Sequence, residues 1–247
     1  MSGHNKWSTI KRKKGALDAK RSKIFSKIIK DITIAVKESG IGDPAGNPRL
    51  RLAISNAKGA NMPKDNIERA IKKATDKDSN ALHEVTYEGY TIGGVAVFVE
   101  CTTDNVQRTV ANVRSYFTKK GGSLGTNGSL SFIFDRKGVF TIPQGNLNED
   151  DFIMELIDAG AEDVELNDGF FNVTTAMEDF GNMIKKLEEM KIQQETALLE
   201  RIPRTTVKLD TETARKVLNA IELFEEDDDV QAVYHNLELT DEIAAEM

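Results

Sequence analysis

Cations crowd the start of the chain at a density that suits a polyanion. Lys6, Lys11, Arg12, Lys13, Lys14, Lys20, Arg21, Lys23 and Lys27 all fall before residue 28, and residues 1–37 hold 11 Lys/Arg against Asp18 and Asp31 alone, a net charge of +9. Clustered cations neutralise phosphates and release counterions, which gives an affinity that is indifferent to sequence and falls steeply with salt. Trp7 lies among them and offers a face on which an unpaired base can stack, a contact worth about 1–3 kcal/mol. His4, Asn5, Ser8 and Thr9 add donors for phosphate or sugar oxygens. The plainer alternative is a solvated lysine face with Trp7 packed on a helical bundle. The density of charge, and the acidity of the remaining chain, favour polyanion binding. Charge alone does not separate DNA from RNA.

Other clusters carry less. Arg108, Arg114, Lys119 and Lys120 precede the glycine-rich stretch from Gly121 to Gly128 and form a secondary basic patch. A phosphate loop opens a helix, whereas this one follows a helix and precedes a strand, so capping glycines are the stronger reading, with an adaptable RNA-contacting loop as the alternative. The run Glu225-Glu226-Asp227-Asp228-Asp229 lacks the alternate spacing of a calcium loop and reads as a solvated turn. Asn148 to Asp151 reads as acidic residues favouring a helix N-terminus. Cys101 is the single cysteine, so no internal disulfide or cysteine zinc site is expected, and it reads as a small buried apolar residue. His4, His83 and His235 have no ligand spacing. Neither nucleophile, metal nor phosphate-loop motifs occur, so the expectation is a protein that is not an enzyme and that takes no metal or cofactor.

These residues need elements to position them. A helix is expected from about Lys20 to Glu38, with Ile24, Phe25, Ile28, Ile29, Ile32 and Val36 on its apolar face. Pro48 starts a second, to about Gly59, burying Leu50, Ala53, Ile54 and Ala57. Pro63 opens a third, with Ile67, Ala70, Ile71 and Ala74 inward and Asp65–Arg69 and Glu68–Lys72 as exposed i,i+4 pairs. After residue 80 the period shortens. Strands are expected over Glu84 to Glu88, Val95 to Thr102 and Leu130 to Phe134, with an intervening helix N-capped by Asp104 and ended by Gly121-Gly122. Strand Val139 to Ile142, helix Asp151 to Ala159, strands Asp163 to Leu166 and Phe170 to Thr174, helix Met177 to Met190 and strand Gln194 to Leu199 give the order βαββαβ, a ferredoxin-like unit. Strand Thr205 to Leu209, helix Thr211 to Phe224 and strand Val230 to Leu237 complete a second such unit with the earlier elements. The fold class expected is α+β multidomain: an N-terminal three-helix bundle plus two ferredoxin-like βαββαβ domains, the third inserted into the second. The boundaries are 1–80, 81–135 with 204–247, and 136–203.

The 247 residues carry 33 Lys/Arg and 40 Asp/Glu, a net of −7, but the charge is divided. Residues 1–80 hold 19 basic and 8 acidic residues, a net of +11, and the remainder holds 14 and 32, a net of −18. Such asymmetry fits one end that meets a polyanion while the rest keeps the chain in solution. No apolar run reaches the roughly 20 residues of a membrane span, and the basic N-terminus lacks the apolar stretch of a secretory signal, so a cytoplasmic location is expected.

Three blocks resemble a known family. Gly3-His4-Asn5-Lys6-Trp7-Ser8-Thr9-Ile10-Lys11, continuing through Asp18-Ala19-Lys20-Arg21 to Lys23-Ile24-Phe25, is similar to the N-terminal signature of the YebC family. So is Asn47-Pro48-Arg49-Leu50-Arg51, followed by the stretch from Asn61 to Ile71. Tyr87-Glu88-Gly89-Tyr90, Thr103-Asp104-Asn105 and Gly121-Gly122 resemble its central region. The resemblance implies a helical N-terminal domain and two α+β domains, one inserted in the other. Its bacterial members are labelled transcriptional regulators that bind DNA, and its mitochondrial relatives include a translational activator of cytochrome c oxidase subunit I. The family is also associated with the ribosome and its passage through difficult sequences such as proline runs. Carried over, the resemblance marks Gly3, His4, Lys6, Trp7, Lys11, Lys14, Lys20 and Arg21 for nucleic-acid contact. The match begins at residue 3, which points to a bacterial member without a mitochondrial presequence.

Three functions follow as expectations. One is a translation factor whose basic arm enters irregular RNA on the ribosome, where shape and stacking dominate recognition. Another is a DNA-binding transcriptional regulator, for which the third helix offers Asn66, Arg69 and Lys73, though Asp65 and Glu68 on the same surface repel phosphate. The last is a small-molecule sensor, supported by fold analogy alone. The first is the leading expectation, with ribosomal RNA or DNA as the partner, no membrane, and the partner of the acidic domains unassigned.

Overall fold

The computed structural model describes residues 17–76, 81–240 and 242–243. Three helices open it: α1 (Leu17–Ser39), α2 (Pro48–Gly59) and α3 (Lys64–Thr75). Ile28, Ile32, Ala35 and Val36 of α1 close on Leu50, Ala53 and Ala57 of α2 and on Ile67, Ala70 and Ala74 of α3, the i, i+4, i+7, i+8 stripe of an amphipathic helix. Ile24 and Ile29, expected on that stripe, are exposed, Ile24 by 48%. At 23 residues α1 has nearly twice the turns of either 12-residue helix packed on it, so its start lacks cover. Asn47 fixes the α1–α2 turn. Its Oδ1 accepts from Leu50 N at the start of α2, and its Nδ2 donates to the carbonyls of Ala35 and Ile41 and to Ser39 Oγ. The expected pairs on α3 are not those formed: Glu68 pairs with Lys64, and Arg69 turns to Asn66 Oδ1 and the Asp65 carbonyl.

By internal contacts the described chain divides into two compact units, one of residues Arg21–Ser79 with Arg136–Arg201 and one of Asn80–Asp135 with Ile202–Met247. In the first unit the helices accompany an α+β domain made of β4 (Phe134–Pro143), α5 (Glu149–Asp158), β5 (Ala161–Asn167), β6 (Phe170–Ala176), α6 (Phe180–Glu189) and β7 (Thr196–Pro203). The sheet order β5-β6-β4-β7, with β6 antiparallel to both β4 and β5, is the ferredoxin-like arrangement expected. Phe140, Ile142, Phe171 and Val173 of the sheet bury against Phe152 and Leu156 of α5 and Met183 and Leu187 of α6. The last helix begins at Phe180 rather than Met177, which lies exposed in the preceding turn.

Helix α2 also belongs to this domain. Asn56 donates from Nδ2 to the Ala197 carbonyl at 3.0 Å and accepts from Ala197 N at 2.9 Å, pairing as a strand residue would with β7. Ser55 Oγ accepts from Gln194 Nε2 at 2.9 Å, and Leu52 packs on the domain's apolar core. Gly59 permits the approach: a Cβ there would lie 2.0 Å from the Glu195 carbonyl oxygen.

In the second unit β1 (His83–Tyr90) and β2 (Ala96–Thr103) form an antiparallel hairpin from His83↔Thr103 to Tyr90↔Ala96. After α4 (Val106–Lys119) comes the two-residue edge strand β3 (Ser123–Leu124), and α7 (Thr211–Glu226) leads into β8 (Val230–His235). The order is β3-β1-β2-β8. Val97, Val99 and Cys101 face α4 and α7, packing on Val113, Phe117, Val217, Ile221 and Phe224. The opposite face carries Ala96, Phe98 and Tyr234, covered by Leu130, Ile133 and Phe134.

This sheet corrects three expectations. Leu130 to Ile133 is turn rather than strand, Thr205 to Leu209 contributes a single bridge, Val207↔Leu237, and the first hairpin strand is central. The unit therefore has four strands and two helices where five strands are expected, and its chain order is ββαβ…αβ instead of a second βαββαβ. The apolar run at 130–134 buries itself as a plug on the sheet face and so needs no strand partner. The N-cap of α4 is Asn105, whose Oδ1 accepts from Arg108 N, not Asp104. Among the described residues no helix is long and apolar enough to cross a membrane.

Candidate nucleic-acid interface

Gly3, His4, Lys6, Trp7, Lys11, Arg12, Lys13 and Lys14 lie outside the described residues, and Lys20 is placed within the first turn of α1. Arg21 is part of the fold. Its guanidinium sits over the Phe25 ring, 5.5 Å from the centroid, and its Nη2 donates to the Asn61 carbonyl at 3.2 Å, tying α1 to the α2–α3 turn. Asn61 holds a positive φ of 55° there. Lys23 and Lys27 are half-buried along α1.

The other cations of the helical domain divide into engaged and exposed. Lys37 Nζ donates to the Asp76 carbonyl at 2.8 Å, and Arg49 Nη1 meets Glu38 at 2.5 Å. Lys58, Lys72 and Lys73 are exposed on α2 and α3. On α3 two of the side chains placed to read a base edge engage one another, Arg69 Nη2 donating to Asn66 Oδ1. Within the same unit, α2 and the loop before β7 enclose a cleft of about 480 Å³. Arg51, Lys58 and Lys191 line it with one carboxylate, Glu188, which lies 3.8 Å from Arg51. This cleft is not legible in the sequence, because Lys191 and Lys58 are distant along the chain. Lys191 adopts a φ of 56° just after α6.

The secondary basic patch loses Arg108. Its Nε and Nη2 donate to Asp229 Oδ2 at 3.2 and 2.7 Å, and Nη2 also meets Asp104 Oδ1 at 2.9 Å. Thr109 Oγ1 donates to the same Asp229 oxygen at 2.9 Å. Burial pushes the Asp229 carboxyl upward, yet the hydrogen bonds from Arg108, Thr109 and Thr103 outweigh it and hold the group below the ordinary aspartate value. The acidic run is thus not the solvated turn expected at its end: Asp229 is 7% exposed, and Asp227 Oδ2 accepts from Tyr116 Oη at 2.8 Å and Asn112 Nδ2 at 3.1 Å. Burial, then the bond to Asp227, pushes the Tyr116 phenol up to about 12. Arg114, Lys119 and Lys120 remain exposed on α4. Among the described residues no group of three or more His, Cys, Asp or Glu side chains could hold a metal.

The glycine stretch after α4 is held from β1. Gly122 lies where a Cβ would meet the Tyr90 carbonyl oxygen at 2.3 Å. Gly125 N donates to the Glu88 carbonyl at 2.7 Å, and the Glu88 carboxylate accepts from Gly128 N at 2.8 Å and Leu130 N at 2.6 Å. Glu88, 4% exposed, shows no sign of this role in the sequence, since its amide partners lie some 40 residues on.

Comparison with known proteins covers nearly the whole chain. A family model described as the TACO1/YebC protein N-terminal domain matches residues 5–77, and one described as the TACO1/YebC second and third domain matches residues 82–237. A protein of Amoebophilus asiaticus is 52% identical over 96% of this chain and 98% of its own length, and one of Rubrobacter xylanophilus is 50% identical over 100% and 99%. Both carry the name "Probable transcriptional regulatory protein". The crystal structure of a conserved hypothetical protein from Aquifex aeolicus superposes with a TM-score of 0.82 at 44% identity, covering 92% of this chain and 93% of that one.

Proposed function

The chain belongs to the TACO1/YebC family, and from that premise we propose that it is a nucleic-acid-binding regulator of gene expression that acts on ribosomal RNA as a cytoplasmic translation factor, by binding rather than by catalysis. Its basic arm, Lys6 to Lys14 with Trp7, makes the principal contact, and the exposed lysines of the helical domain extend it. The observation that carries RNA over duplex DNA is the state of α3. Asn66 and Arg69 bond to each other, and Glu68 stands on the same surface, so the helix presents no unopposed row of base-reading groups to a major groove. A basic arm with one aromatic needs no such row, because irregular RNA is held by phosphate neutralisation and stacking.

The relatives' name favours a second reading, a transcriptional regulator on DNA. Ribosomes and duplex DNA offered together at near-physiological salt separate the two. Ribosome co-sedimentation that survives excess DNA, and is lost when Lys11, Arg12, Lys13 and Lys14 become alanine, is the expected result. Sequence-selective DNA binding without ribosome association would install the second reading instead.

A further inference from the structure

The turn over residues 125–133 presents an aromatic side chain outward while its neighbours face in. Leu130, Ile133 and Phe134 are buried on the sheet face with Phe98 and Tyr234, yet Phe132 is 65% exposed. The turn is held to that shape. The Glu88 carboxylate bonds to the amides of Gly128 and Leu130, and the Glu88 carbonyl bonds to that of Gly125. Burying a carboxylate on backbone amides is costly unless the bonds are made, so the turn it fixes is stiff and Phe132 has little freedom to fold inward.

We propose that this turn is a second nucleic-acid contact, in which Phe132 stacks on an unpaired base of a single-stranded RNA segment. The proposal rests on the function assigned above and adds a site to it. Within the turn the exposed residues Thr126, Asn127 and Ser131 are uncharged hydrogen-bonding groups, and the nearby Arg204, whose N donates to the Ile133 carbonyl at 2.8 Å, is paired with Asp135. That setting suits a base and its sugar hydroxyl, whereas an apolar protein pocket asks for a wider greasy surround. A stacking contact also has a signature of its own: it adds affinity without adding counterion release.

The test measures binding of the full chain to an oligouridylate across a salt series. Phe132→Ala is expected to weaken binding about 5- to 150-fold with an unchanged salt slope. Phe132→Tyr should bind like the unaltered protein and Phe132→Leu like the alanine variant. Alanine binding at full strength, or leucine restoring it as well as tyrosine does, overturns the proposal; the second result would assign Phe132 to an apolar pocket on a protein. The alanine variant of Lys11 to Lys14, measured on the same probe, reads the arm separately. A flattened salt slope there with no effect of Phe132→Ala retains the arm and removes the turn. Loss at Phe132 with a normal arm variant does the reverse.

Discussion

Asp229 joins elements that the chain makes far apart, since the Arg108 bond spans 121 residues. Because its carboxyl is held below the ordinary aspartate value, the charged form stabilises the fold fully above a pH near 3.9, and that contribution is lost as pH falls through the depressed value. Asp229→Asn should therefore cost about 1–3 kcal/mol at pH 7, and the gap to the unaltered protein should narrow at pH 3. Urea melts at the two pH values check this, and an unchanged gap would reject a charged clamp. Tyr116 works with the opposite sign. Its phenol is raised, so stability present below the ordinary tyrosine value near 10 is lost as pH climbs toward about 12. In an alkaline absorbance titration the Tyr116→Phe variant should lack a tyrosine transition near pH 12. Glu88→Gln keeps the shape but weakens two charge-assisted bonds, and amide exchange at Gly128 and Leu130 should quicken in that variant while the rest of β1 stays protected.

Among the elements, α2 carries two cores, and one glycine decides whether it can. Gly59→Ala improves helix propensity by about 1 kcal/mol, yet the added methyl would stand 2.0 Å from the Glu195 carbonyl, so a net loss of about 1–3 kcal/mol is expected in thermal melts. Gly181→Ala, in α6 with nothing within 4 Å, should instead stabilise by about 0.4–1 kcal/mol. The contrast shows what periodicity can reveal. The helices and the inserted βαββαβ domain were legible because Ile28, Ile32, Ala35 and Val36, or Phe140 and Ile142, announce one buried face each. The second sheet was not, because the apolar run at 130–134 reads as a strand until Glu88 is seen pinning it into a turn. Arg108 misled for the same reason: a cation in sequence is a structural clamp once Asp229 arrives beside it. The cleft with Lys58 and Lys191 required knowing that α2 meets β7.

For the whole molecule, the division of charge sets how binding responds to salt. The net of +11 in residues 1–80 against −18 elsewhere predicts steep salt dependence that resides in the first part. Replacing Lys58 and Lys191 with alanine should lower the log–log salt slope by about 1.4 if single-stranded phosphates enter the cleft. The seam that forms this cleft also bears on synthesis. Asn56 waits for a partner 141 residues later, so at about 5–20 residues per second the positively charged helices exist for roughly 7–28 s before β7 can cover α2. During that interval the nascent chain emerges with its cationic end complete and Leu52 uncovered, beside the most abundant polyanion in reach, the ribosome translating it. The acidic segments made afterwards seal α2, so the order of synthesis leaves this helix with one of its two cores until residue 197 has been made.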